Sequence, residues 1–177
     1  MTYSGDMNAF MAALVVFLTT LFGNPFGPAD GVMAPASPFA SYATVTAQVV
    51  EVIDGDTLNV RVNASSEIVR VRYIGIDTPE PYREGIPECG SAAATKANEA
   101  LLQTGEISLV PGRELFDPYG RLLAYVYVDT LFINETLIQD GFARTMMIAP
   151  NQDFSTRFKE IERDAERARK GNWDTCR

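Results

Sequence analysis

The chain has no histidine. That absence removes Ser-His-Asp and Cys-His triads, histidine general bases and the common zinc sites, so any hydrolytic chemistry has to rest on carboxylates and metal. Cysteine is nearly absent as well, with only Cys89 and Cys176 in 177 residues. Two thiolates without histidine make a poor zinc site. Two free thiols or one disulfide remain, and in an exported protein an even count favours the disulfide. Such a bond would close a loop of about 88 residues and stabilise by about 4–5 kcal/mol in the chain-entropy picture. Positive charge is scarce, with 15 Lys and Arg against 23 Asp and Glu, a net charge of -8 and a pI near 4.6. A surface of that kind repels polyanions on average, which excludes a protein that coats nucleic acid by bulk electrostatics. The same acidity also serves ordinary solubility.

Long apolar runs are rare; the one conspicuous run extends from Ala9 to Gly23, inside a first 36 residues that lack Lys and Arg. Its length is nearer the core of an export signal than a membrane span. Ala34-Pro35-Ala36 supplies small residues before a cleavage point, although MTYSGDMN carries no basic side chain. Residues 1–36 are therefore expected to be an export signal or an N-terminal membrane anchor, 37–43 a linker, and 44–177 the functional domain. Secretion or periplasmic release after cleavage is the expected location, with anchoring by residues 9–23 as the alternative.

Short runs rich in Val, Ile, Leu and Tyr, bounded by Gly, Pro, Asn, Asp and Ser, predict strands over Val45–Ile53, Thr57–Val62, Ile68–Ile76, Ile107–Leu115 and Arg121–Val128. Ser91–Leu102 and Ile133–Asp140 read as helices. A third helix, Phe154–Lys170, carries Phe154, Phe158, Ile161 and Ala165 on one stripe and stops at Gly171. Pattern alone gives an α+β domain.

Three segments carry charge that strand and turn chemistry do not demand: VIDGDT, VRYIGIDTPE and DPYGR. Each alone has a plain reading. IDGDT is a good turn, DTPE a loop held out of helix by Pro79, and DPYG a type I turn with Asp117 first and Gly120 fourth. Together they supply Asp56, Asp77 and Glu80 with Arg72 and Arg121. Hard oxygen ligands suit a hard cation, a free carboxylate can take a proton from water, and two guanidinium forks match a phosphate whose charge grows in the transition state.

In this order, over about 70 residues, the segments resemble the staphylococcal nuclease family. The resemblance runs from roughly Ala43 to Trp173 and includes Arg72 five residues before Asp77, the DPYGRLLAYVYVD hairpin, INETLIQDG and the closing GNW. It implies a five-stranded OB-type β-barrel with three α-helices. It also implies a calcium-dependent nuclease acting on DNA and RNA as a monomer, with no obligate protein partner. By motif position, Asp56 and Asp77 are calcium ligands, with the carbonyl of Thr78 as a third. Glu80 is the base that activates water, Arg72 and Arg121 are the phosphate clamps, and Asp54 is an outer-shell group. Tyr119 is a candidate substrate contact. A non-catalytic OB-type module binding nucleic acid or protein is the alternative.

Two local points stand out. In a regular strand Arg72 and Asp77, five apart, face opposite sides, so Gly75 is expected to mark a bulge or the strand to end before Asp77. After Gly141 the family's two nucleotide-contacting tyrosines are replaced by Met147 and Ala149, and Pro118 stands before Tyr119 in place of lysine. Base stacking there should be weak, and Met146 and Met147 are read as core filling. Asn63-Ala64-Ser65 and Asn134-Glu135-Thr136 match the N-glycosylation triplet, which matters only in a eukaryotic secretory route.

Overall fold

Alternating apolar and polar residues in the first strands dictate one inward and one outward face. In Thr57–Val62, Leu58, Val60 and Val62 are buried while Asn59 and Arg61 are not, as the two-residue period of a strand requires. The computed structural model describes residues 43–62, 67–81, 85–103 and 105–176. The expectations for the segment 1–36, most of the linker and the glycosylation triplet at Asn63 lie outside these residues.

The elements run β1 (Val45–Val52), β2 (Thr57–Val62), β3 (Ile68–Tyr73), β4 (Gly75–Asp77), α1 (Ser91–Leu101) and β5 (Glu106–Phe116). They continue with β6 (Leu122–Val128), β7 (Leu131–Phe132), α2 (Ile133–Gln139), β8 (Arg144–Met146), α3 (Ser155–Arg167) and α4 (Asn172–Thr175). The sheet order β3-β2-β1-β5-β6-β7 closes through a parallel β3–β6 pairing, Val71↔Leu122 to Tyr73↔Ala124. The result is a five-stranded OB-type barrel in an α+β domain. A register shift in β1 between Val49 and Glu51 bends that strand between its partners β2 and β5, the usual effect of a bulge.

The core fills the barrel and continues under the helices. Leu58, Val60, Val71, Leu109 and Val126 are fully buried inside, and Ile133, Leu137, Ile138 and Phe158 seal the end under α2 and α3. Phe158 stacks on Phe154 at 5.5 Å between ring centroids, and its complete burial contributes on the order of 2–3 kcal/mol. Asn134, also fully buried, accepts from the Val126 N–H and donates to the Ile74 carbonyl, both at 2.9 Å. Its glycosylation triplet is therefore closed off in the folded chain.

The predicted single strand Ile68–Ile76 is two strands. β3 ends at Tyr73, Ile74 hands its N–H to the Ala124 carbonyl, and β4 begins at Gly75 with φ 82 and pairs with β8 instead. A side chain at Gly75 would sit 3.0–3.1 Å from Phe158 and Met147, so glycine is needed for both the turn and the packing. The switch of partner re-aims Asp77 relative to Arg72.

Cys89 and Cys176 form a disulfide. It joins the approach to α1 to the residue after α4. Non-reducing mass spectrometry is expected to recover the two peptides linked, and Cys176→Ser should lower stability to denaturant by about 4–5 kcal/mol in the chain-entropy picture. Two alkylatable thiols in exported material would overturn this.

Candidate active site

The turn between β1 and β2 is held by its own side chains. Asp54 Oδ1 accepts the Asp56 N–H at 2.9 Å, and the Ile53 and Asp54 N–H groups both reach the Thr57 carbonyl. Asp54 and Asp56 are consequently buried, at 8% and 1% exposure. Asp56 Oδ2 accepts the Thr78 N–H at 2.7 Å and the Thr78 hydroxyl at 2.9 Å, which fastens IDGDT to DTPE. Gly55 permits this approach, since a Cβ there would lie 2.7 Å from the Thr78 side chain. The plain-turn reading of IDGDT thus leaves out its main job, a docking surface for Thr78.

Arg72 is the hub of the site. Its guanidinium is buried; Nη1 contacts Asp56 Oδ1 and Nη2 donates to Asp77 Oδ1 at 2.8 Å. One planar fork therefore bridges two aspartates, and the break at Ile74–Gly75 is what brings Asp77 round to meet it. Burial lowers the pKa of Arg72, and the charge of Asp77 opposes that shift.

Arg121 enters from the start of β6. Asp117 Oδ1 accepts the backbone N–H groups of Tyr119 and Arg121, and Asp117 Oδ2 takes Arg121 Nε at 2.6 Å. The type I turn residue is thus also the clamp that fixes the guanidinium plane. Among the described residues no hydrogen bond engages the two terminal nitrogens of Arg121. Tyr119 is 85% exposed at the hairpin tip, its ring 5.6 Å from the Arg121 guanidinium carbon.

Arg72, Asp77, Glu80, Asp117 and Arg121 line one cleft of about 300 Å³. Asp54, Asp56 and Thr78 support it from behind, and Tyr119 is not part of its lining. Glu80 reaches solvent, yet the cleft wall leaves it only partly hydrated. Burial first and then the charge of Asp54 push its carboxyl upward, with Arg72 pulling down and Asp77 adding to the rise. Burial likewise raises Asp54, against the pull of Arg72.

The far wall corrects one expectation. Met147 packs toward the core beside Gly75, while Met146 and Ile148 are exposed and line the cleft. Alternation along β8 decides this, so Met146 is not core filling and Met147 is not the side chain that faces the cleft.

Two residues outside the motifs hold the site. Asn98, fully buried on α1, accepts from the Tyr73 hydroxyl at 2.9 Å and donates to the Asp54 carbonyl at 3.0 Å. Asn151 clasps Glu114 through both its N–H and its carbonyl. A polar residue at a buried helix position was the only signal available for Asn98.

The residues fit a hard dication. Four carboxylates, Asp54, Asp56, Asp77 and Glu80, converge on two arginines, one of which is already paired to Asp117. The upward shifts at Asp54 and Glu80 come first from burial, which penalises their charged forms, and at Glu80 also from the neighbouring aspartates. All donors are oxygen, which suits calcium. Among the described residues no three acidic side chains form a ready metal-holding group, so the ion would rest on few protein ligands plus main chain and water.

Comparison with known proteins bears on the same residues. The family described as "Staphylococcal nuclease homologue" matches residues 70–175. The chain is 36% identical over 132 residues to the SPbeta prophage-derived endonuclease YokF of Bacillus subtilis (strain 168), covering 68% of this chain and 41% of that protein. It is 30% identical over 147 residues to a thermonuclease of Staphylococcus hyicus, covering 80% of this chain and 86% of the other. Endonuclease YncB of Bacillus subtilis (strain 168) is 36% identical over 132 residues, covering 68% and 58%. The chain thus spans about half the length of the two Bacillus relatives and most of the staphylococcal one.

Proposed function

The chain belongs to the staphylococcal nuclease homologues, and from that membership we propose that it is a calcium-dependent phosphodiesterase cleaving DNA and RNA within the strand. The observation that carries the reading is the Arg72 bridge between Asp56 and Asp77, set in the same cleft as Glu80 and Arg121. A binding module has no use for a raised carboxylate between two aspartates and two guanidiniums.

Asp56, Asp77 and the Thr78 carbonyl would hold calcium, with Asp54 as an outer-shell group. When bound, that ion supplies Lewis-acid polarisation of a phosphoryl oxygen. Arg121 presents its terminal nitrogens to the substrate phosphate while Asp117 holds its plane. Arg72 offers a second fork from the floor of the cleft, and both forks gain strength as charge builds on the equatorial oxygens. Glu80 takes the proton of the attacking water; a raised carboxyl is a better proton acceptor than an ordinary exposed glutamate. Tyr119 is a rim contact for the strand. The acidic surface leaves the affinity concentrated at these groups. Export to an oxidising compartment is part of the same proposal, supported by the disulfide.

Hydrolysis of DNA and RNA should require calcium at about 10⁻⁴–10⁻³ M and be poorly supported by magnesium, because a site with few protein ligands suits the larger, more flexible ion. The test is turnover in calcium, in magnesium and with chelator. Equal rates in all three would sink the metal assignment, and no cleavage of either nucleic acid would sink the activity.

A further inference from the structure

We propose that Glu88 is the positioning residue for Glu80, an inference that rests on Glu80 being the general base. The two glutamates are joined by reciprocal hydrogen bonds: Glu88 Oε2 accepts the Glu80 N–H at 2.9 Å, and the Glu80 carbonyl accepts the Glu88 N–H at 2.9 Å. Among the described residues no hydrogen bond holds the Glu80 carboxylate itself. The main chain of Glu80 sets where that side chain starts, and Glu88 holds this main chain from both its N–H and its carbonyl.

Glu88 is itself anchored. Its carbonyl accepts the Ser91 N–H at 3.1 Å at the head of α1, and the next residue, Cys89, is tied by the disulfide to Cys176. Further along the same helix, Asn98 holds the Asp54 carbonyl and the Tyr73 hydroxyl. The base and the aspartate turn thus hang from one helix, through Glu88 just ahead of its first turn and through Asn98 on its buried face. An N–H bonded to a carboxylate is stronger than one bonded to a neutral oxygen, which suits a clasp on an exposed segment. The acceptor is the essential part, so an amide of equal length should serve and a shorter carboxylate should not.

Glu88→Gln, Glu88→Asp and Glu88→Ala are compared with wild type and Glu80→Gln. Turnover should stay within about threefold in Glu88→Gln and fall by about 10- to 100-fold in Glu88→Asp and Glu88→Ala, as displacement of a reacting group does, with KM little changed. Hydrogen exchange of the Glu80 amide should lose protection in the same two variants only. If Glu88→Asp and Glu88→Ala keep wild-type kcat while Glu80→Gln is inactive, the positioning role is wrong. A loss in Glu88→Gln as large as in Glu88→Ala also overturns it, because an uncharged acceptor of the right length would then not suffice. Wild-type rates in Glu80→Gln instead remove the base on which the inference rests. Should Glu88→Ala not fold, the Asp and Gln variants decide alone, since both keep a polar side chain there.

Discussion

Glu80→Gln is expected to cut turnover on DNA by at least about 100-fold, the usual loss when a positioned base is removed, while thermal midpoint and substrate KM stay near wild type. Glutamine keeps the length and shape of the side chain and removes only its capacity to accept a proton. The fold should not notice, because the Glu80 side chain is exposed and its main-chain bonds to Glu88 do not use its carboxylate. Electrostatics argue the same way. Burial first and then the charge of Asp54 disfavour the ionised Glu80 carboxyl, so replacing it with a neutral amide does not cost the folded state a favourable charge. A variant that is as stable as wild type, or slightly more so, and nearly inactive is the signature of a group kept for chemistry. Single-turnover measurements would separate the chemical step from product release. Wild-type rates in this variant would move the base elsewhere in the cleft.

Legibility in the sequence followed the range of the interactions. The barrel strands were readable because each is a run of β-branched and aromatic residues cut by turn formers, and β2 agrees residue for residue with its prediction. β7 and β8, of two and three residues, have no period to detect. The parallel closure of β3 on β6 leaves no local mark at all, since it depends on two strands about 50 residues apart. The parity conflict between Arg72 and Asp77 pointed to Gly75, and the structure resolves it with a change of sheet partner that only β8 could supply. Asp117 was read as a turn former; its second carboxylate oxygen, which holds Arg121 four residues on, orients a side chain, a purpose that turn statistics do not encode. Asn98 and Glu88 are single polar residues without a motif, and their importance appears only once α1 is docked.

The largest separable effect should come from the arginines. Arg121→Lys preserves net charge, so bulk attraction to DNA and its salt dependence should be unchanged. What it removes is the planar fork: Asp117 orients the guanidinium by binding Nε, and lysine has no Nε and no pair of parallel donors for two phosphate oxygens. Turnover should fall by about 100-fold or more, the scale of a lost oxyanion-type contact, with little change in stability because the side chain lies at the cleft margin. Arg72→Lys should lose turnover and stability together. Arg72 is buried between Asp56 and Asp77, and a single ammonium can serve one of them well but not both, leaving a buried carboxylate under-compensated at a cost above about 1 kcal/mol. Arg163→Lys, on the exposed face of α3, is the control and should behave as wild type. The pair of profiles, activity alone for Arg121 and activity with stability for Arg72, follows from Arg72 bridging two aspartates of the protein as well as lining the cleft, while the Arg121 guanidinium is held through Nε alone. If Arg121→Lys retains near-normal turnover, Arg121 is only the residue after a turn, and phosphate recognition must rest on Arg72 and the metal.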